Sequence, residues 1–156
     1  MYRIHQELFI LSDVAYFEQL LELARRQTEP FQQKQWLQKA VALYTGDLYE
    51  ENMQADWTWH ERNRLKTLYL KALQQIAMHC YDERQYEECL LACEAILQKD
   101  PAWEEAYRLM MWCHFYLENK VELQKTYDRC EKILEQEYDM EPMHMTTEIF
   151  EKLIRM

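Results

Sequence analysis

Cys89 and Cys93 stand four residues apart, and the pairs His79-Cys80 and Cys113-His114 add further groups able to ligate a metal. A structural zinc site needs four converging ligands, usually in close pairs on a turn. These cysteines fall instead at small or apolar positions of helical stripes, where a thiol serves as a compact core residue. Carboxylate pairs such as Glu87-Glu88 and Glu104-Glu105 could support acid–base chemistry. They fall on solvated helix faces or in first helical turns, where negative charge complements the helix dipole. No glycine-rich phosphate loop, zinc-protease helix motif or nucleophile elbow occurs. The residues that could do chemistry therefore predict no enzyme, no metal and no cofactor.

A second group could bind rather than react. Trp57, Trp59, Glu61, Arg62 and Arg64 lie within eight residues. In an architectural reading, Trp57 packs over the loop that follows Gly46, and Glu61 or Arg62 satisfies backbone groups of that loop. In a binding reading, Trp59 and Arg64 belong to a partner surface, because tryptophan and arginine are the usual anchors of interfaces.

The elements that must position these residues are helices. The chain has 156 residues, one glycine and three prolines. Sheet proteins need those residues at many tight turns, whereas helix hairpins need few. The net charge of −10 lacks the basic face that phosphate neutralisation requires, which argues against direct binding of nucleic acid. No apolar run spans a membrane, no signal peptide is visible, and five cysteines in apolar positions fit a reduced, cytoplasmic chain.

Apolar periodicity predicts seven helices. Residues 1–11 read as extended chain, because Tyr2, Ile4 and Phe9 have polar residues interleaved. Helix 1 spans about 13–27, with Ser12 or Asp13 as cap and Val14, Phe17, Leu20, Leu21 and Ala24 inward. Helix 2 spans about 31–44, with Gly46 just past its end in left-handed geometry. Asp56 caps helix 3, which runs to about 82. Helices 4, 5 and 6 span about 86–98, 103–117 and 121–138, with Asp100-Pro101 capping and starting helix 5. Glu141-Pro142 breaks the chain before helix 7, about 147–154, a C-terminal lid.

Helices 3–4 and 5–6 superpose at an offset of 34 residues. Leu73, Ile76 and Ala77 land on Tyr107, Met110 and Met111; Cys89, Cys93 and Ile96 land on Leu123, Tyr127 and Cys130. That period is the tetratricopeptide signature, and Pro101 stands at its repeat-closing proline. The expected fold is all-α: a right-handed tetratricopeptide-like solenoid of about three helix pairs plus a C-terminal helix. Its concave face would take Lys71, Gln74, Met78 and Tyr81 from helix 3 and Glu105, Arg108, Trp112 and Phe115 from helix 5. Arg108, Trp112, Phe115, Tyr81 and Met78 form an aromatic and cationic surface. It serves either a partner or contact with helix 7 or a second copy.

The run Ala42-Leu-Tyr-Thr-Gly-Asp-Leu, then Asp56-Trp57, then Glu61-Arg62-Asn-Arg64-Leu65, resembles the bacterial transcriptional activator domain of the SARP-family regulators and related response regulators. The resemblance continues through Tyr86-Glu-Glu, Asp100-Pro101, Glu104-Glu-Ala-Tyr-Arg108 and Met140-Glu-Pro142. Gly46, Asp56, Trp57, Glu61, Arg62, Pro101 and Pro142 are its architectural landmarks. The family often has glycine near Arg84 and Asp139; here those turns must be made by Asp, Arg or Asn.

The resemblance implies a regulatory protein-interaction domain of a DNA-binding transcription activator, covering residues 12–156. Its partners would be proteins, through self-association or RNA polymerase, with no membrane involved. DNA would be bound only through a winged-helix domain absent from this chain. Tyr2-Arg3-Ile4, Asp13 and Phe17-Glu18-Gln-Leu20-Leu21 match the family's junction, so residues 1–11 read as the remnant of that winged helix. The alternative is a stand-alone tetratricopeptide adaptor that holds a peptide or protein in its concave face.

Overall fold

The computed structural model describes residues 2–46 and 59–156. All regular structure among them is helical: α1 (Tyr2–Arg26), α2 (Pro30–Gly46), α3 (Trp59–Asp82), α4 (Tyr86–Lys99), α5 (Glu104–Tyr116), α6 (Lys120–Tyr138) and α7 (His144–Arg155). The chain divides into two compact units, Met1–Ile76 and Ala77–Met156.

In the first unit α1 packs along α2. Val14, Phe17, Leu20 and Ala24 of α1 and Leu37, Ala40 and Tyr44 of α2 are buried, at the spacing that puts one stripe on each helix inward. The Tyr44 ring stacks on Tyr69 of α3 with centroids 4.2 Å apart and lies 5.9 Å from Phe17. Pro30 is the first helical residue of α2, where its missing N–H costs nothing.

Two expectations fail here. Residues 2–11 are not extended: a single helix runs from Tyr2 to Arg26, with Ser12 and Asp13 in its interior. Leu8, Phe9, Ile10 and Leu11 form an unbroken apolar run that a two-residue period cannot sort to one face. No proline or glycine interrupts the chain before Arg26, so nothing stops the helix from propagating. Gly46 is the last residue of α2, not a left-handed residue beyond it, and no described glycine has positive φ. Asp56 and Trp57, with the loop they were expected to organise, lie outside the described residues.

In the second unit α4 packs on α5, α5 on α6, and α7 on both α5 and α6. Every member of the residue pairs matched at the 34-residue offset is buried. The hairpin turns repeat as well. Arg84 N–H donates to Tyr81 O and Gln85 N–H to Cys80 O; Glu118 N–H donates to Phe115 O and Asn119 N–H to His114 O. These paired bonds close the helix ends as Schellman turns, which require a left-handed residue. Arg84 (φ 62°), Glu118 (φ 57°) and, after α6, Asp139 (φ 51°) supply it without glycine.

One boundary differs in kind. Asp100 and Pro101 do not start α5. The Asp100 side chain accepts from Ala102 N–H at 3.1 Å and its carbonyl from Trp103 N–H at 3.2 Å, which makes a tight turn before α5 begins at Glu104. The Pro101 carbonyl accepts from Tyr107 Oη at 2.7 Å, tying that turn to the core.

Candidate interaction surface

The residues read as a concave surface lie on α3 and α5, and the structure puts them in two different settings. Arg108, Trp112 and Phe115 recur at three- and four-residue spacing on α5, so they share one helix face. That face seats α7. Trp112 and Phe115 pack with Ile149, Phe150 and Ile154 against the buried cluster of Met111, Leu123, Tyr127 and Leu153. Phe150 stacks on Tyr127 with ring centroids 4.1 Å apart, and Lys152 Nζ lies 5.5 Å from the Trp112 ring centre.

A polar relay fixes the start of α7. Arg108 Nη1 donates to Thr146 Oγ1 at 3.0 Å, and Thr146 Oγ1 donates to Glu104 Oε1 at 2.9 Å. The same Glu104 oxygen accepts from Met143 N–H at 2.8 Å. Thr146 is fully buried, so this relay satisfies a hydroxyl that would otherwise be costly to desolvate. Of the two readings given to Arg108, Trp112 and Phe115, contact with helix 7 is the one the geometry displays.

Tyr81 and Met78 are set differently. Tyr81, half-buried at the end of α3, meets Tyr86 of α4 at 5.8 Å and Tyr116 of α5 at 6.1 Å, while Tyr86 and Tyr116 stack at 5.2 Å. Burial and a hydrogen bond from Tyr116 push the Tyr81 hydroxyl up to about 12. Tyr116 and Met78 are exposed. This tyrosine group continues to Trp112, whose ring stacks on Tyr116 at 6.1 Å. Tyr86 and Tyr116 did not figure in the surface as read from sequence. Their position on either side of the 84–85 and 118–119 turns was the signal that could have found them.

In the first unit, Trp59 is 70% exposed, its ring meeting His60 edge-on at 5.3 Å. Arg64 of α3 pairs with Glu18 of α1, so it ties two helices together. Glu61 is exposed in the first turn of α3, and Arg62 is half-buried.

The cysteines are core residues. Cys80, Cys89, Cys93, Cys113 and Cys130 are all buried, and none of these five is in a disulfide. Cys93 and Cys113 hydrogen-bond with Cys89, and this contact together with burial holds both thiols well above their ordinary range. Burial alone is the main cause that pushes Cys130 up to about 12. Thiols held protonated are weak nucleophiles. Among the described residues no group of three or more His, Cys, Asp or Glu is placed to hold a metal, and no helix is long and apolar enough to cross a membrane.

His114 lines a small pocket of about 200 Å³ between α4, α5 and α6, with Glu94, Glu122, Lys125 and Arg129 around it. Its Nδ1 is buried without a hydrogen-bond partner, and burial lowers its pKa from 6.5. Arg129 Nη1 is engaged by Glu94 at 2.7 Å.

Comparison with curated proteins finds no match. The helical hairpins, the 34-residue repeat of buried positions and turns, and the α7 lid are joined by a match to one family model that covers residues 12–154. The chain belongs to the bacterial transcriptional activator domain family.

Proposed function

We propose that this chain is the regulatory protein-interaction domain of a bacterial DNA-binding transcription activator of the SARP or response-regulator type, acting in the cytoplasm. It mediates dimerisation or contact with RNA polymerase while a winged-helix domain of the same protein reads DNA. The family match over residues 12–154 carries this reading. The family is regulatory and non-catalytic. A net charge of −10 supports the division of labour, since like charge repels phosphate. Stacking of the helix pairs into a right-handed solenoid is part of the same reading. The winged-helix neighbour rests on the family alone, because the helical 2–26 segment does not have a strand's geometry.

Sedimentation velocity, with and without bacterial RNA polymerase, tests it. A concentration-dependent dimer or co-sedimentation with polymerase is expected. A chain that stays monomeric and leaves polymerase unbound contradicts the proposal.

A second reading, a stand-alone adaptor that binds a peptide, is favoured by one observation. The Tyr81, Tyr86 and Tyr116 rings form a partly exposed aromatic group beside exposed Met78. Peptide capture that depends on Tyr116 and Met78, by a protein with no DNA-binding domain, would decide for it. Trp59 and Arg64 are proposed as a separate contact on the first unit.

A further inference from the structure

Another concavity of the second unit lies away from the tyrosine group. It is a groove of about 630 Å³ lined by Tyr127, Glu131 and Glu135 of α6, by Asp139, Met140, Glu141 and Pro142 of the link, and by Thr147 of α7. Tyr127, Glu131 and Glu135 follow at intervals of four, so they form one row along α6. The left-handed Asp139 then turns the chain back, so that Met140 and Pro142 face that row.

Three properties of the groove combine. Its floor is fixed by two contacts: Tyr127 is stacked on Phe150 and its hydroxyl meets Thr147 Oγ1 at 3.1 Å. Its rim offers uncovered apolar surface, with Met140 58% exposed and the adjacent Tyr138 47% exposed. A flexible, polarisable methionine suits a surface that adapts to a partner side chain. Its charge is not neutralised. Elsewhere carboxylates meet cations, as in Glu18 with Arg64, Glu22 with Arg25 and Glu94 with Arg129. Among the described residues Glu131, Glu135, Asp139 and Glu141 form no ion pair. A concave wall of one sign concentrates potential and draws the opposite charge.

From these features, and resting on the interaction-domain reading above, we infer that the α6–α7 groove docks a lysine- or arginine-bearing amphipathic segment of a partner protein. Its apolar face meets Met140, Pro142 and Tyr127, and its cations meet the four carboxylates. A second copy of this chain is a poor occupant, because it carries the same net charge of −10.

The test uses fluorescence anisotropy with the whole chain. The probes are a labelled lysine–leucine amphipathic helix and its glutamate–leucine counterpart. The wild type should bind the first and ignore the second. E131K/E135K should bind at least about tenfold more weakly. E29K/E87K, which changes the same charge at exposed positions outside the groove, should bind as the wild type does. Circular dichroism checks that all variants fold. Equal weakening in both double variants would show bulk attraction only and overturn the inference, as would an unaffected E131K/E135K. Altered self-association in E131K/E135K would assign the groove to a second copy and also overturn it. Sedimentation with RNA polymerase separates the two proposals. Retained assembly without groove-specific peptide binding sinks this inference alone. Groove-specific binding without any assembly sinks the interaction role in transcription alone.

Discussion

Arg84 and Glu118 hold left-handed backbone at equivalent points of the two hairpins, 34 residues apart. A side chain at such a position costs about 1 kcal/mol relative to glycine, because Cβ crowds the neighbouring carbonyl. Arg84→Gly and Glu118→Gly should therefore each stabilise the chain by roughly 0.5–1 kcal/mol. Urea denaturation measures this, and a lowered midpoint in either variant contradicts it. Asp139 should gain less, since aspartate tolerates this region better. The turns at Arg84 and Asp139 were legible as glycine-free. The expected helix spans of about 103–117 and 121–138 leave a turn at 118–120, and its left-handed residue is Glu118. His114 yields a second expectation. Its pKa is lowered by burial, so the unfolded chain binds its proton more readily than the folded one does. Stability should be complete above about pH 6.5 and fall as pH drops below it. Glu94 and Glu122 temper that fall. His114→Gln should flatten the urea midpoint between pH 5 and 6.5 relative to wild type; an unchanged pH dependence would contradict this.

At the scale of elements, helices with a clear apolar stripe and a proline or polar turn at each end were readable. α4 and α6 start within one residue of expectation, and their inward residues are buried or half-buried. Two of the failures share a cause: both lie where local signals compete. Ser12-Asp13 looks like a cap, but a helix already propagating upstream absorbs both residues. Asp100-Pro101 looks like a helix start, but the aspartate closes a turn on Ala102 instead. Periodicity puts Arg108, Trp112 and Phe115 on one face of α5, yet it cannot say which element covers that face. α7 covers Arg108, Trp112 and Phe115. The lid is therefore structural. Leu153→Ala, at a fully buried position, should cost about 2–5 kcal/mol. Thr146→Val, which breaks the Arg108–Thr146–Glu104 relay while keeping its volume, should cost about 1–3 kcal/mol. Both are read from urea midpoints, and a neutral Thr146→Val would show that the relay adds no net stability.

At the scale of the whole molecule, the fold class was legible from glycine and proline scarcity and from the 34-residue period, and the family from landmarks spread along the chain. Residues 47–58, which carry Asp56 and Trp57, are outside the described structure, so those two landmarks keep only their sequence meaning. The central claim is the division of labour proposed above, in which this domain meets proteins and a separate domain reads DNA; the net charge of −10 and the unpaired groove carboxylates are the observations that support it. A gel-shift titration on the promoter DNA of the parent regulator tests that claim most directly, with residues 1–156 and the full regulator run side by side at the same salt. The predicted result is a shift with the full regulator and none with residues 1–156, even at concentrations well above the regulator's midpoint. A specific shift by residues 1–156 alone would contradict the account.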